Sequence, residues 1–174
     1  MLRKWLLLSL MVGLAGCSRQ SASPPPPKET PIPAGEIGSR LPDFTLHDLH
    51  GHAISSADFH GKVVLVDFWA TWCQPCKQEM PGYQKLLDRH GPQGFVVVGL
   101  KFDTMTDTED PLKFAKKIGV RYPLAVATDD LKQKFGGIEG LPTTMLFDRD
   151  GRLRQKIVGF EYTEVIEQDL KTLL

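Results

Sequence analysis

The chain has 174 residues, enough for one domain with a sizeable core, and its 41% hydrophobic and 24% charged content is that of an ordinary globular protein. Its 21 basic residues balance 21 acidic ones, and no basic run or excess supplies the footprint of a nucleic-acid binder. Three cysteines, Cys17, Cys73 and Cys76, are too few for a secreted disulfide scaffold.

Residues 1–16 read as a secretory signal. Arg3 and Lys4 form a basic start, residues 5–12 an apolar stretch, and Leu14-Ala15-Gly16 a set of small residues before Cys17. The apolar part would cross roughly 16 Å at about 1.5 Å per residue, half of a ~30 Å hydrocarbon core, so it is not a spanning helix. Leu14-Ala15-Gly16-Cys17 resembles the lipobox of bacterial lipoproteins. The resemblance implies cleavage before Cys17, a diacylglyceryl thioether on its sulfur and anchoring to a membrane of the cell envelope, facing the periplasm; several acyl chains hold stably where one does not. An ordinary cleaved signal with an incidental cysteine stays open. Residues 17–36 hold Pro24 to Pro27 in a row, Pro31 and Pro33, lack a hydrophobic face, and read as a semi-rigid extended tether with no ligand of its own.

The folded part begins near residue 37. Residues 41–46 alternate as an edge strand would, His50-Gly51 marks a turn, and Ala53-Ile54 starts the return strand of a hairpin. His47, His50, His52 and His60 look like a metal cluster, but one of them occupies the turn and no cysteine or carboxylate completes a ligand set. Residues 55–59 predict a short helical turn. Residues 63–68 form a short, β-branched apolar run after Gly61-Lys62, a buried strand, and residues 77–90 a helix with Met80, Tyr83, Leu86 and Leu87 on one face. Pro81 should kink that helix, and Gly91-Pro92 should end it. A second buried strand covers 95–100. Asp110-Pro111 caps and opens a helix through 117, residues 123–127 suggest a short strand, and Asp129 or Asp130 caps a helical turn to 135. A strand at 144–147 turns at Asp150-Gly151 into 153–158, and an amphipathic helix, 163–174, closes the chain. This order implies an α/β domain over residues 37–174, a mixed central sheet covered by helices on both faces.

Between the first strand and its helix lies Trp69-Ala70-Thr71-Trp72-Cys73-Gln74-Pro75-Cys76. A thiolate at a strand-to-helix junction meets unpaired N–H groups and the positive end of the helix dipole, which lower the pKa of Cys73. Two intervening residues let one helical turn bring the sulfurs within disulfide reach, and Pro75 is tolerated because its missing N–H falls in the first turn. The pair reads as a redox couple that can cycle. Asp67, set in an apolar strand, is a charge that needs partners.

Residues 66–77 with this C-x-x-C, Pro81 at its spacing, and Gly140-Leu141-Pro142-Thr143 resemble the thioredoxin superfamily, and within it the membrane-anchored TlpA/ResA type. The resemblance covers all of 37–174, with the N-terminal β-hairpin extension and the added helix and strand insertion of that group. It implies a thioredoxin fold and a thiol:disulfide oxidoreductase. Cys73 would be the exposed nucleophile and Cys76 the buried resolving thiol. Asp67 would accept the Cys76 proton, its pKa raised by burial. Pro142 would be the cis-proline facing the cysteines, with Leu141 beside it, and Trp72, Gln74 and Pro75 would shape the site. Trp69 is expected to be packing. Lys101 falls loosely where thioredoxins keep a lysine near the aspartate, with a solvated lysine as the plain reading. Glu79 fits the TlpA/ResA pattern, with an exposed helix position as its plain reading. Gln74-Pro75 replaces the Gly-Pro of general thioredoxins, a dipeptide that tunes the potential.

The resemblance favours a reductant of envelope disulfides, such as apocytochrome c or copper-site cysteines, fed by a transmembrane dithiol donor of the DsbD/CcdA kind. It calls for no cofactor beyond the disulfide itself and no metal. An oxidase or isomerase of the same fold, a peroxiredoxin-type peroxidase and a copper chaperone are the alternatives. The second wants a Thr-x-x-Cys site and the third a C-x-x-x-C spacing, and Thr71-Trp72-Cys73 and Cys73-Gln74-Pro75-Cys76 supply neither.

Overall fold

The computed structural model describes residues 33–102 and 109–174, all within the unit Pro31–Leu174. The expected signal, Cys17 and most of the tether lie outside the described residues. Among the described residues no helix is long and apolar enough to cross a membrane.

Two short strands, β1 (Thr45–His47) and β2 (Ala53–Ser55), pair antiparallel as a sheet of their own. The Asp48 carboxylate holds the turn by accepting the His50 and His52 backbone N–H groups at 2.9 and 2.8 Å, and Gly51 takes the positive φ of 90° that the turn requires. His52 Nδ1 lies 3.1 Å from the same carboxylate, and among the described residues no group of three or more His, Cys, Asp or Glu side chains is placed to hold a metal.

The central sheet has five strands in the order β5-β4-β3-β6-β7: β3 (Val63–Trp69), β4 (Phe95–Phe102), β5 (Leu124–Ala127), β6 (Thr143–Phe147) and β7 (Leu153–Val158). β3, β4 and β5 pair in parallel, whereas β6 runs antiparallel to both of its neighbours, β3 and β7, so the sheet is mixed as expected. Every residue of β3 is buried, the signature of a strand covered on both faces. Its alternation divides the core. Val63, Leu65 and Trp69 pack with Met80, Tyr83 and Leu86 of α1 (Gln74–His90), Phe114 of α2 (Pro111–Ile118) and Ile166 of α4 (Thr163–Leu173). Val64, Val66 and Phe68 pack on the other face with Phe44, Ile54 and Leu131 of α3 (Asp129–Lys134).

Three local expectations change. α1 begins at Gln74 rather than 77, because Cys73 is its N-cap in extended conformation, and Pro81 lies inside it. Thr128, not an aspartate, caps α3: its side chain accepts the Leu131 N–H at 3.2 Å, leaving Asp129 and Asp130 in the first turn, where their charge suits the dipole. The strand 144–147 starts one residue earlier, at Thr143, paired with Phe68. The Asp110 cap, by contrast, stands as read, accepting the Lys113 N–H at 2.8 Å.

Candidate active site

β3 ends at Trp69 and the chain turns once, the Cys73 N–H donating to the Ala70 carbonyl at 3.1 Å, before α1 begins. Cys73 and Cys76 are joined in a disulfide, their Cα atoms 5.3 Å apart, and the Cys73 sulfur accepts the Cys76 N–H at 3.3 Å. A sulfur at the N-cap thus takes the place of a capping oxygen, and a thiolate there faces the unpaired first-turn N–H groups. Cys76 has no exposure and Cys73 keeps 3%. The expectation of an exposed Cys73 is corrected to that extent: bonded to Cys76 and packed in the core cluster, only its edge reaches solvent. Gln74 and Trp72 are the exposed neighbours, while Pro75 is half-buried. Trp69 is fully buried and stacks on Phe114, ring centres 5.2 Å apart, in the packing role expected of it.

The Leu141–Pro142 peptide is cis, as the resemblance implied. Thr143 pairs with Phe68, so this peptide lies beside the end of β3 from which the chain turns to the cysteines. The Pro142 carbonyl accepts the Gly159 N–H at 2.8 Å, which brings exposed Val158 and Phe160 to the same edge.

Behind the disulfide lies a buried polar cluster. Asp67 has no exposure and shares the sheet face of Leu65 and Trp69, under α1, with Gly99 and Thr144 as its neighbours on β4 and β6. Burial pushes its carboxyl well above the usual range, and the nearby Glu79 carboxyl pushes it further. Glu79 is 1% exposed, so its reading as an exposed helix residue is overturned. The reason is tertiary: the segment after β7 folds over α1, and the Glu161 N–H donates to Glu79 Oε1 at 2.6 Å. Burial lifts Glu79 to about 7, against the Glu161 N–H and the Tyr83 hydroxyl, which favour its charged form.

Tyr83, expected only to pack, and Thr144, expected only as part of a strand, join hydroxyls at 2.9 Å. Tyr122 is held nearby by Gln84, whose Oε1 accepts the Arg121 and Tyr122 N–H groups at 2.8 and 3.2 Å. Lys101, with solvation as its plain reading, is 4% exposed, its Nζ donating to the Phe102 carbonyl at 3.2 Å. The i, i+4 spacing of Glu79 and Tyr83 was the signal available for the cluster, but it carries no mark of burial.

A redox-active disulfide at a helix start, a cis-proline beside it and a buried acid behind it, on this mixed sheet, define a thioredoxin-fold thiol–disulfide oxidoreductase. The chain belongs to the AhpC/TSA family, whose model matches residues 37–156. It is 36% identical over 139 residues, 79% of each chain, to the thiol-disulfide oxidoreductase ResA of Bacillus thuringiensis subsp. konkukian. It is 33% identical over 174 residues, 98% of each chain, to the thioredoxin-like protein YneN of Bacillus subtilis. Among solved structures it is similar to a thiol:disulfide interchange protein of the thioredoxin family from Chlorobium tepidum, with TM-score 0.71 and 29% identity over 80% of this chain and 99% of that one.

Proposed function

We propose that this enzyme works as a reductant of disulfides in envelope proteins, held to its membrane by a lipid on Cys17. The Cys73 thiolate attacks a client disulfide, forming a Cys73–client bond while the client's other sulfur leaves and takes a proton. Cys76 gives its proton to Asp67 and attacks the Cys73 sulfur, expelling the client's second sulfur as a thiolate that takes a proton from solvent, and restoring the Cys73–Cys76 bond. Two electrons and two protons reach the client, and a transmembrane dithiol donor of the DsbD/CcdA kind returns them. Trp72, Gln74, Leu141 and Pro142 would receive the client strand. Clients are proteins with cysteine pairs, such as apocytochrome c or copper-site proteins.

The observation that carries this reading is the disulfide at the first turn of α1, with fully buried Asp67 on the sheet face beneath that helix. The reduction potential, measured by equilibration with dithiothreitol or glutathione, tests it. A value of about −270 mV or lower supports a reductant that must be fed electrons; a value near about −120 mV makes the protein an oxidant and overturns the direction. Membrane partitioning tests the anchor, and a Cys17→Ala protein that still sediments with membranes counts against it.

A further inference from the structure

α2 and the turn of the β1–β2 hairpin stand outside the five-stranded sheet and face each other across a groove. The Leu49 N–H donates to the Leu124 carbonyl at 2.7 Å, which fixes the hairpin turn to the edge strand β5. On the opposite wall Leu112, Ala115, Lys116 and Gly119 fall on one stripe of α2 and its cap. Gly119 takes a φ of 77°, and space is open where a Cβ would stand, so no side chain narrows that end. Gln84 holds the third wall, residues 121–122, through the two N–H bonds it accepts, so the groove is preformed. It encloses about 580 Å³, within the ~300–1,000 Å³ of small-molecule sites.

The floor is apolar, made by Leu49, Leu112, Val120, Tyr122 and Leu124. The rim is basic: among the described residues that line the groove, His50, Lys113, Lys116 and Arg121 carry nitrogen and none is acidic. Arg121 is already engaged by the Asp88 carboxylate, Nη2 lying 2.9 Å from each oxygen. Asp48, the acid of the hairpin turn, is engaged by the His50 and His52 N–H groups, and Glu109 lies 4.0 Å from Lys117. Lys113 and Lys116 are exposed, stand three residues apart on α2, and form no ion pair among the described residues.

An apolar floor beneath two such ammonium groups matches a molecule with one hydrocarbon tail and one compact negative head. We propose that the groove binds a free fatty acid, its tail along Leu112, Val120 and Leu124 and its carboxylate at Lys113 and Lys116. Burial of the tail supplies the affinity, and the lysines select the sign of the head. Tyr122 and Leu124 also pack on Gly99, where a Cβ would lie 3.2 Å from Tyr122 Cε2, and Gly99 is the cross-strand neighbour of Asp67. The groove is thus one layer of side chains from the buried acid, yet it includes neither cysteine nor the cis-proline peptide, and it stands whichever way electrons flow.

The test is binding of hexanoate, octanoate and decanoate to the full chain carrying Cys17→Ala, in detergent-free buffer at neutral pH, followed by methyl 13C NMR. Saturable shifts are expected at Leu49, Leu112, Val120 and Leu124, with affinity rising about fourfold for each added methylene. Octyltrimethylammonium, with the same tail and the opposite charge, is expected to bind about tenfold more weakly than octanoate. Lys113→Gln combined with Lys116→Gln, both at exposed positions, should weaken octanoate about tenfold and leave neutral octanol unchanged. Affinity that does not grow with tail length overturns the proposal and leaves the lysines holding any small anion. Equal binding of the two signs of head also overturns it, leaving an unselective apolar face open to a partner protein. So do shifts confined to residues outside the groove.

Discussion

Replacing Glu79 with glutamine should make the protein less sensitive to alkaline pH. Glu79 is raised from 4.5 to about 7 in the fold. A raised carboxyl binds its proton more tightly folded than unfolded, so it costs nothing below pH 4.5, and its cost grows as pH rises, reaching its full value above 7. At about 1.4 kcal/mol per unit, the shift amounts to about 3 kcal/mol. At 1% exposure there is little solvent screening to reduce it. Glutamine retains an oxygen to accept the Glu161 N–H, so the bond at 2.6 Å has a successor. Asp67 is raised as well and contributes a slope of the same sign, which the variant keeps. The assay is urea unfolding of the oxidised protein, whose bonded cysteines do not titrate, at intervals from pH 4.5 to 8. The wild type is expected to lose about 3 kcal/mol more than Glu79→Gln across that window. Parallel curves for the two proteins would refute the argument and mean that Glu79 ionises freely in the fold.

Asp67→Asn is expected to slow resolution of a trapped mixed disulfide more than its formation, and stopped-flow measurement of the two steps that finds them equally slowed would reject its role as proton acceptor. Gly99→Ala should destabilise the fold by about 1–3 kcal/mol, because a Cβ there meets the Leu124 side chain, Trp69 Nε1 at 3.0 Å and Tyr122 Cε2 at 3.2 Å; an unchanged urea midpoint would contradict it. Glu167 bonds to His90 at 2.8 Å and to Arg89, and these partners lower its carboxyl to about 2. Glu167→Gln should therefore lose stability at neutral pH, with the difference from wild type shrinking as pH falls from 4.5 towards 2, which acid titration followed by circular dichroism will read.

What could be read from the chain alone was local. The β3 run, the C-x-x-C at its helix junction, the Asp110 cap and the Asp150-Gly151 turn each depend on residues a few positions apart, and each stands where it was read. Asp67 was legible for the same reason: a carboxyl amid Val63 to Trp69 is conspicuous without knowing what covers it. Cis Pro142 was legible only through the family motif, since nothing in its flanking residues separates a cis from a trans proline.

The rest belongs to the tertiary structure. Glu79 and Lys101 have side chains that look solvated in sequence, and only distant parts of the chain decide otherwise. Glu161, 82 residues on, closes over Glu79, and the Tyr83–Thr144 pair spans 61 residues from α1 to β6. Helical periodicity says which residues share a face but not which turns of that face another segment will cover. The sequence by itself therefore determined the redox couple and its class of chemistry. Only the packing of α1 between β6 and the segment after β7 decided that the acid behind the couple has a second, titrating partner, because burial is a property of what the rest of the chain brings to a site.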